Sequence, residues 1–147
     1  MIRRASQRDL PGIERVVAAA YKQYIPRIGT VPGPMSDDYG WQVALGNVWV
    51  SVLDEEIVGI VVLVAKPDYL LLDNVAVLPE KQGLGFGRGL IAFAEAEARQ
   101  RGYGEIQLYT NELMHENLAL YAKLSYQEIS RRVDSGFKRV FMRKNLR

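Results

Sequence analysis

The sequence predicts an α/β fold, α+β in character, with a central, mostly antiparallel sheet that contains one parallel strand–helix–strand unit and is flanked by helices. Two observations predict it. Three strand-like stretches follow one another between residues 48 and 77 with only short polar turns between them, which is typical of antiparallel strands. The last stretch, Leu70–Val77, is followed by a glycine-rich segment and then by apolar residues at helical spacing, which indicates a strand–turn–helix unit.

Seven strands and four helices follow from the hydrophobic periodicity. The predicted strands are Ile2–Ala5, Val48–Leu53, Ile57–Ala65, Leu70–Val77, Ile106–Thr110, Tyr126–Arg131 and Lys138–Arg143. The predicted helices run from Asp9 to about Tyr24, from Ser36 or Asp37 through Ala44, along the face formed by Leu90, Ile91, Ala94 and Ala98, and over residues 115–124.

The ends of the first two helices are predicted from capping and breaking residues. Asp9 is a good N-cap, and Pro11 suits the first turn. Pro26 is expected to end this helix. Residues 26–36 contain three prolines and two glycines and are predicted to form a loop.

Composition limits the range of functions. A chain of 147 residues is expected to form one domain over residues 1–147. Its net charge of +2 does not favour a nucleic-acid or membrane partner. There is no cysteine, no apolar signal region at the N-terminus and no apolar run long enough to span a bilayer. A cytoplasmic location is therefore expected.

A glycine-rich segment separates the strand at Leu70–Val77 from the helix that follows. In Gln82–Gly89 every second residue is a glycine, and glycine lets a ligand approach the main chain closely. The first N–H groups of a helix have no partner inside it and attract anions, and Lys81 and Arg88 add positive charge. The segment predicts a pyrophosphate-binding loop; the alternative is a tight turn that uses glycine for its geometry alone.

The spacing of these glycines distinguishes between phosphate-binding motifs. It does not match the dinucleotide pattern G-x-G-x-x-G, and the chain contains no Gly-Lys-Ser or Gly-Lys-Thr. It does match Gln-x-x-Gly-x-Gly at Gln82, Gly85 and Gly87, and here the sequence resembles the GNAT superfamily of acetyl-CoA-dependent N-acetyltransferases. The resemblance implies that the loop binds the pyrophosphate of coenzyme A and that the preceding strand binds the pantetheine and acetyl groups. The implied residues are Asn74, Val75, Ala76, Val77, Gln82, Gly83, Leu84, Gly85, Phe86, Gly87 and Arg88.

A second part of the resemblance lies in residues 117–126. Asn117 and Tyr121 are four residues apart and share a helix face. The resemblance implies that Tyr121 protonates the departing coenzyme A thiolate and that Asn117 binds the pantetheine arm or orders water. The alternative for Tyr121 is an aromatic side chain that only packs on the sheet. Ser125 departs from the family pattern, which has glycine there.

A base is also needed, because an amine must lose a proton when it is acetylated. Asp73 lies on the strand before the loop and is predicted to take this proton through water; the alternative is an aspartate that is simply at the surface or hydrogen-bonded. Glu112, Glu116 and His115 are weaker candidates. A single histidine without nearby ligands does not favour a metal site, so no metal is expected.

The acceptor is not defined by the sequence. Residues 24–46 fall where the family varies to suit its acceptor, and they form either an amine-binding surface or an ordinary cover on the sheet. Arg131, Arg132, Lys138 and Arg139 either solvate an exposed face or meet an acidic substrate. The predicted function is acetyl transfer from acetyl-CoA to a small-molecule, peptide or protein amine by direct attack. The alternative is a non-catalytic coenzyme A-binding sensor or assembly module; a homodimer remains open.

Overall fold

The computed structural model describes residues 1–147, and its seven strands form one mixed sheet in the order β1-β2-β3-β4-β5-β7-β6. Only β4 and β5 are parallel neighbours, and all other pairs are antiparallel. The predicted fold class is therefore confirmed. The strands are β1 Ile2–Arg4, β2 Val48–Leu53, β3 Glu56–Ala65, β4 Leu70–Val77, β5 Glu105–Asn111, β6 Gln127–Asp134 and β7 Phe137–Asn145.

Five α-helices accompany the sheet, one more than the sequence predicts. They are α1 Leu10–Tyr21, α2 Ile25–Ile28, α3 Tyr39–Ala44, α4 Phe86–Gln100 and α5 His115–Lys123. The expectation that Pro26 ends the first helix was wrong. Pro26 lies in the first turn of the short helix α2. An N–H group in the first turn has no acceptor within the helix, so the lack of an N–H in proline costs no hydrogen bond there. The segment predicted to be a loop thus contains α2 and a 3₁₀ turn at Gly33–Ser36.

Of the predicted helix caps, the position of Asp9 is confirmed and those of Ser36 and Asp37 are wrong. Asp9 is the N-cap residue of α1 and Pro11 lies in its first turn, although the capping bond itself is absent. The side chain of Asp9 does not cap α1; its carboxylate accepts hydrogen bonds from the backbone N–H of Ser6 and from Arg3, both at 2.8 Å. Asp38, rather than Ser36 or Asp37, caps α3 by accepting from the N–H of Trp41 at 2.9 Å. A short polar side chain in this position replaces the missing helical acceptor.

The sheet lies between two apolar cores. The first core contains α1 residues such as Ile13 and Val16, and the second contains α4 residues such as Leu90 and Ile91. Strand β3 contributes to both, since alternate side chains of a strand point to opposite faces. This burial on two faces explains why β3 is almost continuously apolar.

The parallel strands β4 and β5 pair over a short distance and then separate. Their ladder joins Leu70–Leu72 to Ile106–Leu108 and contains no later pair. On its other edge β4 remains paired with β3 as far as Val77, with a β-bulge that leaves Asp73 without a partner. Bulges of this kind redirect a side chain and are frequent beside functional sites. The gap between the two strands opens the sheet at residues 73–77.

Ser125 follows helix α5 and keeps the turn geometry that glycine usually provides at this position in the family. Its φ is 75°, in the left-handed region that favours glycine. The N–H of Tyr126 donates to the carbonyl of Tyr121 at 3.0 Å, as in a helix-terminating motif. The departure from the family pattern therefore leaves the turn intact, at a conformational cost of roughly 1 kcal/mol.

Candidate active site

A cleft of about 780 Å³ lies where β4 and β5 separate. Its walls come from the end of α1 and the segment after it, the second half of β4, the glycine-rich loop with the start of α4, and one face of α5. The lining residues are Ala20, Tyr21, Gln23, Tyr24, Arg27, Val75, Ala76, Val77, Gln82, Gly83, Gly85, Gly87, Arg88, Ile91, Glu116, Asn117, Leu120 and Tyr121.

The glycine-rich loop presents free main-chain donors to this cleft. The backbone N–H groups of residues 83–88 make no hydrogen bond within the chain, and the first helical bond of α4 runs from Gly89 to the carbonyl of Gly85. Gly83 and Gly85 have φ of 80° and 91°, so these two positions need glycine for the backbone itself. Of these six residues, Gly83, Gly85, Gly87 and Arg88 line the cleft. Free N–H donors at a helix N-terminus suit a phosphate group.

Most of the predicted coenzyme-binding residues line the cleft, but three do not. Leu84 has a 67% exposed side chain and contributes only its main chain to the loop. Phe86 packs against the apolar cores on both faces of the sheet. Asn74 is buried below the cleft. Gln82 does line the cleft, and its side-chain amide donates to the carbonyl of Val77 at 3.2 Å, which ties the loop to the end of β4.

Tyr121 has a buried ring and a free hydroxyl. The residue is 4% exposed, and its ring packs edge-on against Tyr126 with 5.8 Å between centroids. The hydroxyl makes no hydrogen bond in the chain, yet every fully buried side-chain oxygen or nitrogen is bonded; the hydroxyl therefore contacts the cleft. Burial, and then the charge of Tyr24, raises the pKa of Tyr121 above its usual value, so this group keeps its proton at neutral pH.

Asn74 joins three elements through a buried network. Its side-chain oxygen accepts a hydrogen bond from the hydroxyl of Tyr21, and its Nδ2 donates to the hydroxyl of Tyr39 at 2.9 Å. The Tyr39 hydroxyl in turn donates to the carbonyl of Pro34. Because all of these partners are satisfied inside the protein, we assign Asn74 to holding β4 against α1 and the segment 32–39. The sequence predicted coenzyme contact for Asn74 and gave no signal for these partners.

A second, smaller cavity of about 40 Å³ adjoins the cleft. Four residues line both spaces, namely Tyr21, Val75, Asn117 and Tyr121. The charged side chains of the smaller cavity are Asp73 and Arg139. Tyr109 donates to Oδ1 of Asp73 at 2.6 Å, and the guanidinium carbon of Arg139 lies 4.5 Å from the centroid of the Tyr109 ring.

Asp37 adds negative charge near this cavity. The residue is exposed as a whole, but desolvation of its carboxyl group and the charge of Asp73 raise its pKa to about 6. The weaker base candidates lie elsewhere: His115 is exposed, and Glu116 accepts hydrogen bonds from Tyr24 at 2.9 Å and Arg27 at 2.8 Å. Asp73 is thus the only predicted base that lines the small cavity.

Comparison with known proteins identifies the family. A sequence profile for the acetyltransferase (GNAT) domain matches residues 44–128. The uncharacterized N-acetyltransferase YjgM of Escherichia coli is 30% identical over 138 residues, a match that covers 88% of this chain and 83% of that protein. The chain belongs to the GNAT acetyltransferase family.

Two further N-acetyltransferases are similar in sequence or in fold. N-alpha-acetyltransferase 80 of Mus musculus is 42% identical over 62 residues, which is 42% of this chain but only 18% of the mouse protein. The PaiA N-acetyltransferase of Thermoplasma acidophilum, solved in complex with coenzyme A, superposes with a TM-score of 0.82 at 18% identity and covers 99% of this chain and 98% of that one.

None of the helices has the length and apolar character needed to cross a membrane.

Proposed function

We propose that this GNAT chain transfers an acetyl group from acetyl-CoA to a primary amine by direct attack of the amine on the thioester. The observation that supports this proposal best is that the large cleft and the small cavity adjoin at Tyr121, which lines both. One is a long cleft with free N–H donors, and the other is a small cavity with a carboxylate. A bisubstrate reaction needs two such approaches to one reacting centre.

The cleft suits coenzyme A in the chemistry of its donors. The N–H groups of residues 83–88 and the side chain of Arg88 suit the pyrophosphate. The stretch Val75–Val77 has no β5 partner beside it and offers an edge along which the amide-rich pantetheine arm can lie. Asn117 faces the same path. Acetyl-CoA would bring the activated acyl group to the end of the cleft beside Tyr121.

The chemistry follows from the groups at this junction. The amine nitrogen forms a bond to the thioester carbonyl carbon, and the carbon–sulfur bond breaks. Tyr121 gives its phenolic proton to the leaving sulfur; its hydroxyl has no hydrogen-bond partner in the chain and lies where the two spaces meet. Asp73 takes a proton from the amine through a water molecule. The bulge at Asp73 supports this role, because it turns the carboxylate away from a ladder position.

The acceptor class proposed here is a primary amine on a small molecule or on a peptide or protein. The names of two relatives support a nitrogen acceptor, since the mouse relative is called an N-alpha-acetyltransferase and the E. coli relative an N-acetyltransferase. The negative charge of Asp73 and Asp37 near the small cavity supports attraction of a protonated amine before it is deprotonated.

Two measurements test the proposal. Coenzyme A at about 100 times its dissociation constant is expected to stabilise the fold by roughly 2.7 kcal/mol, whereas NAD and ATP are expected to give much smaller shifts. Release of free thiol from acetyl-CoA is then measured with a panel of amines. Stabilisation without thiol release from any amine would favour the alternative of a coenzyme-binding module. No stabilisation at millimolar coenzyme A would contradict both.

A further inference from the structure

Arg139 is a mostly buried guanidinium whose donors are only partly used. Its side chain is 13% exposed, and one nitrogen, Nη1, lies 3.3 Å from the carboxylate of Asp134. Nη2 and Nε make no hydrogen bond in the chain, and no fully buried side-chain nitrogen is unbonded. These donors are therefore not fully buried, and Arg139 lines the small cavity. A planar guanidinium with free N–H groups is suited to a carboxylate.

Gly33 leaves the space in front of this guanidinium open. A Cβ atom at position 33 would lie 3.0 Å from Nη2 of Arg139, and the φ of Gly33 lies outside the left-handed region. Glycine is thus not required here by the backbone. Its lack of a side chain instead keeps Nη2 uncovered between the 3₁₀ turn at Gly33–Ser36 and β7.

Tyr109 contacts both charged side chains of this cavity, Asp73 through its hydroxyl and Arg139 through the face of its ring. The hydroxyl of Tyr109 is 2.6 Å from Asp73, and the ring of Tyr109 lies under Arg139 at 4.5 Å. The cavity of about 40 Å³ has room for about three water-sized groups, at 10–15 Å³ for each. An ammonium group and a carboxylate group carried by the same carbon are complementary to the two charges of this cavity.

On the basis of the proposed function, we propose that the acceptor is an amine that carries a carboxylate on its amine-bearing carbon, as a free amino acid does. Asp73, with Asp37 nearby, binds the amine, and the free donors of Arg139 bind the carboxylate. A peptide N-terminus or a polyamine presents an amine to the same aspartates but has no carboxylate for Arg139. These acceptors are expected to react more slowly.

The test compares matched acceptors in the thiol-release assay. Alanine, methionine, phenylalanine and lysine are each measured against their α-carboxamide and against the amine that lacks the carboxyl group. A hydrogen bond to a charged partner corresponds to about a 10- to 100-fold effect. At least one amino acid is therefore expected to exceed both of its analogues in kcat/KM by about 10-fold or more. Equal or faster reaction of the carboxamides or carboxylate-free amines would overturn the inference.

Variants connect this preference to Arg139. Arg139→Gln is expected to reduce the amino acid to carboxamide ratio towards one, and Arg139→Lys to restore part of it. Gly33→Ala, which puts a methyl group against Nη2, is expected to lower the ratio as well. Arg132→Gln is the matched control, because Arg132 is exposed and pairs across the hairpin with Arg139 but does not line the cavity.

Each failure has its own signature. A ratio that Arg139→Gln leaves unchanged would overturn the role of Arg139, and the ratio in the wild-type protein is decisive even where a variant fails to fold. Stabilisation by coenzyme A together with thiol release only from carboxylate-free amines would overturn this inference and leave the proposed function in place. No coenzyme binding and no thiol release would remove both.

Discussion

The hydroxyl of Tyr109 lies 2.6 Å from Oδ1 of Asp73 at the point where β4 and β5 separate. The last ladder pair of these strands is Leu72 with Leu108, so Asp73 and Tyr109 are the next residues along each strand. A bond between their side chains takes over where the main-chain ladder ends. Burial, and then the charge of Asp73, raises the pKa of Tyr109 above its usual value, which keeps its hydroxyl protonated as a donor.

Replacement of Asp73 by asparagine tests its role as base. The side-chain oxygen of asparagine still accepts from Tyr109, so the fold is expected to persist. Without a proton acceptor, kcat is expected to fall by about 10²-fold or more, with little change in KM for acetyl-CoA. Tyr109→Phe is the comparison, because it keeps the carboxylate and removes only its donor. Normal turnover in Asp73→Asn would mean that water or another group, and not Asp73, takes the proton from the amine.

Replacement of Tyr121 by phenylalanine tests the proposed acid. The change keeps the ring packed against Tyr126 and removes a hydroxyl that has no partner in the chain. The melting temperature is therefore expected to stay near that of the wild type, while kcat falls by something like 10²-fold. A thiolate is a fair leaving group, so a smaller loss still agrees. Full turnover together with a lowered melting temperature would exclude Tyr121 from the mechanism.

Gly87 and Gly89 form a matched pair for testing the predicted pyrophosphate-binding loop. Both lie in α4, both have φ outside the left-handed region, and a Cβ at either position meets no atom closer than 3.9 Å. Only Gly87 lines the cleft. Gly87→Val is expected to weaken coenzyme A binding by at least about tenfold, or 1.4 kcal/mol, and Gly89→Val to leave it nearly unchanged. If calorimetry gives the two variants equal affinities for coenzyme A, Gly87 has no role in binding the ligand.

Asp9 is expected to make stability depend on acid pH. Its hydrogen bonds with Arg3, at 2.8 and 2.9 Å, lower its pKa to about 2, against about 3.9 in an unfolded chain. Because the pKa of Asp9 is lower in the folded protein, its contribution to the free energy of unfolding is complete above about pH 4 to 5. The contribution is lost as the pH falls towards 2. Allowing for solvent screening of the half-exposed Arg3, it amounts to about 1–2 kcal/mol.

Thermal unfolding from pH 7 to pH 2 measures this contribution. Asp9→Asn is expected to melt at a lower temperature than the wild type at pH 7 and to show a flatter decline below pH 4. Asp68→Asn, at an exposed turn position, serves as the control and is expected to follow the wild-type curve. Parallel curves for Asp9→Asn and the wild type would contradict the assignment.

Features that depend only on neighbouring residues could be predicted from the sequence. Strand β4 was predicted with its observed ends because an apolar run and Pro79 define them locally. The loop was predicted because Gly83 and Gly85 supply left-handed angles that few other residues adopt. Helix α2 was missed because Pro26 is equally compatible with the end of one helix and the first turn of another.

The way in which distant segments meet at the site could not be predicted and is a property of the folded chain. Tyr21 bonds Asn74 across 53 residues, and Tyr109 bonds Asp73 across 36. From the sequence, Arg139 had two possible roles, to solvate an exposed face or to meet an acidic substrate. In the structure Arg139 lines the small cavity and lies over the ring of Tyr109. Such contacts follow from strand register, from the bulge at Asp73 and from the early separation of β4 and β5. These features depend on the packing of the whole sheet, and no local pattern of residues encodes them.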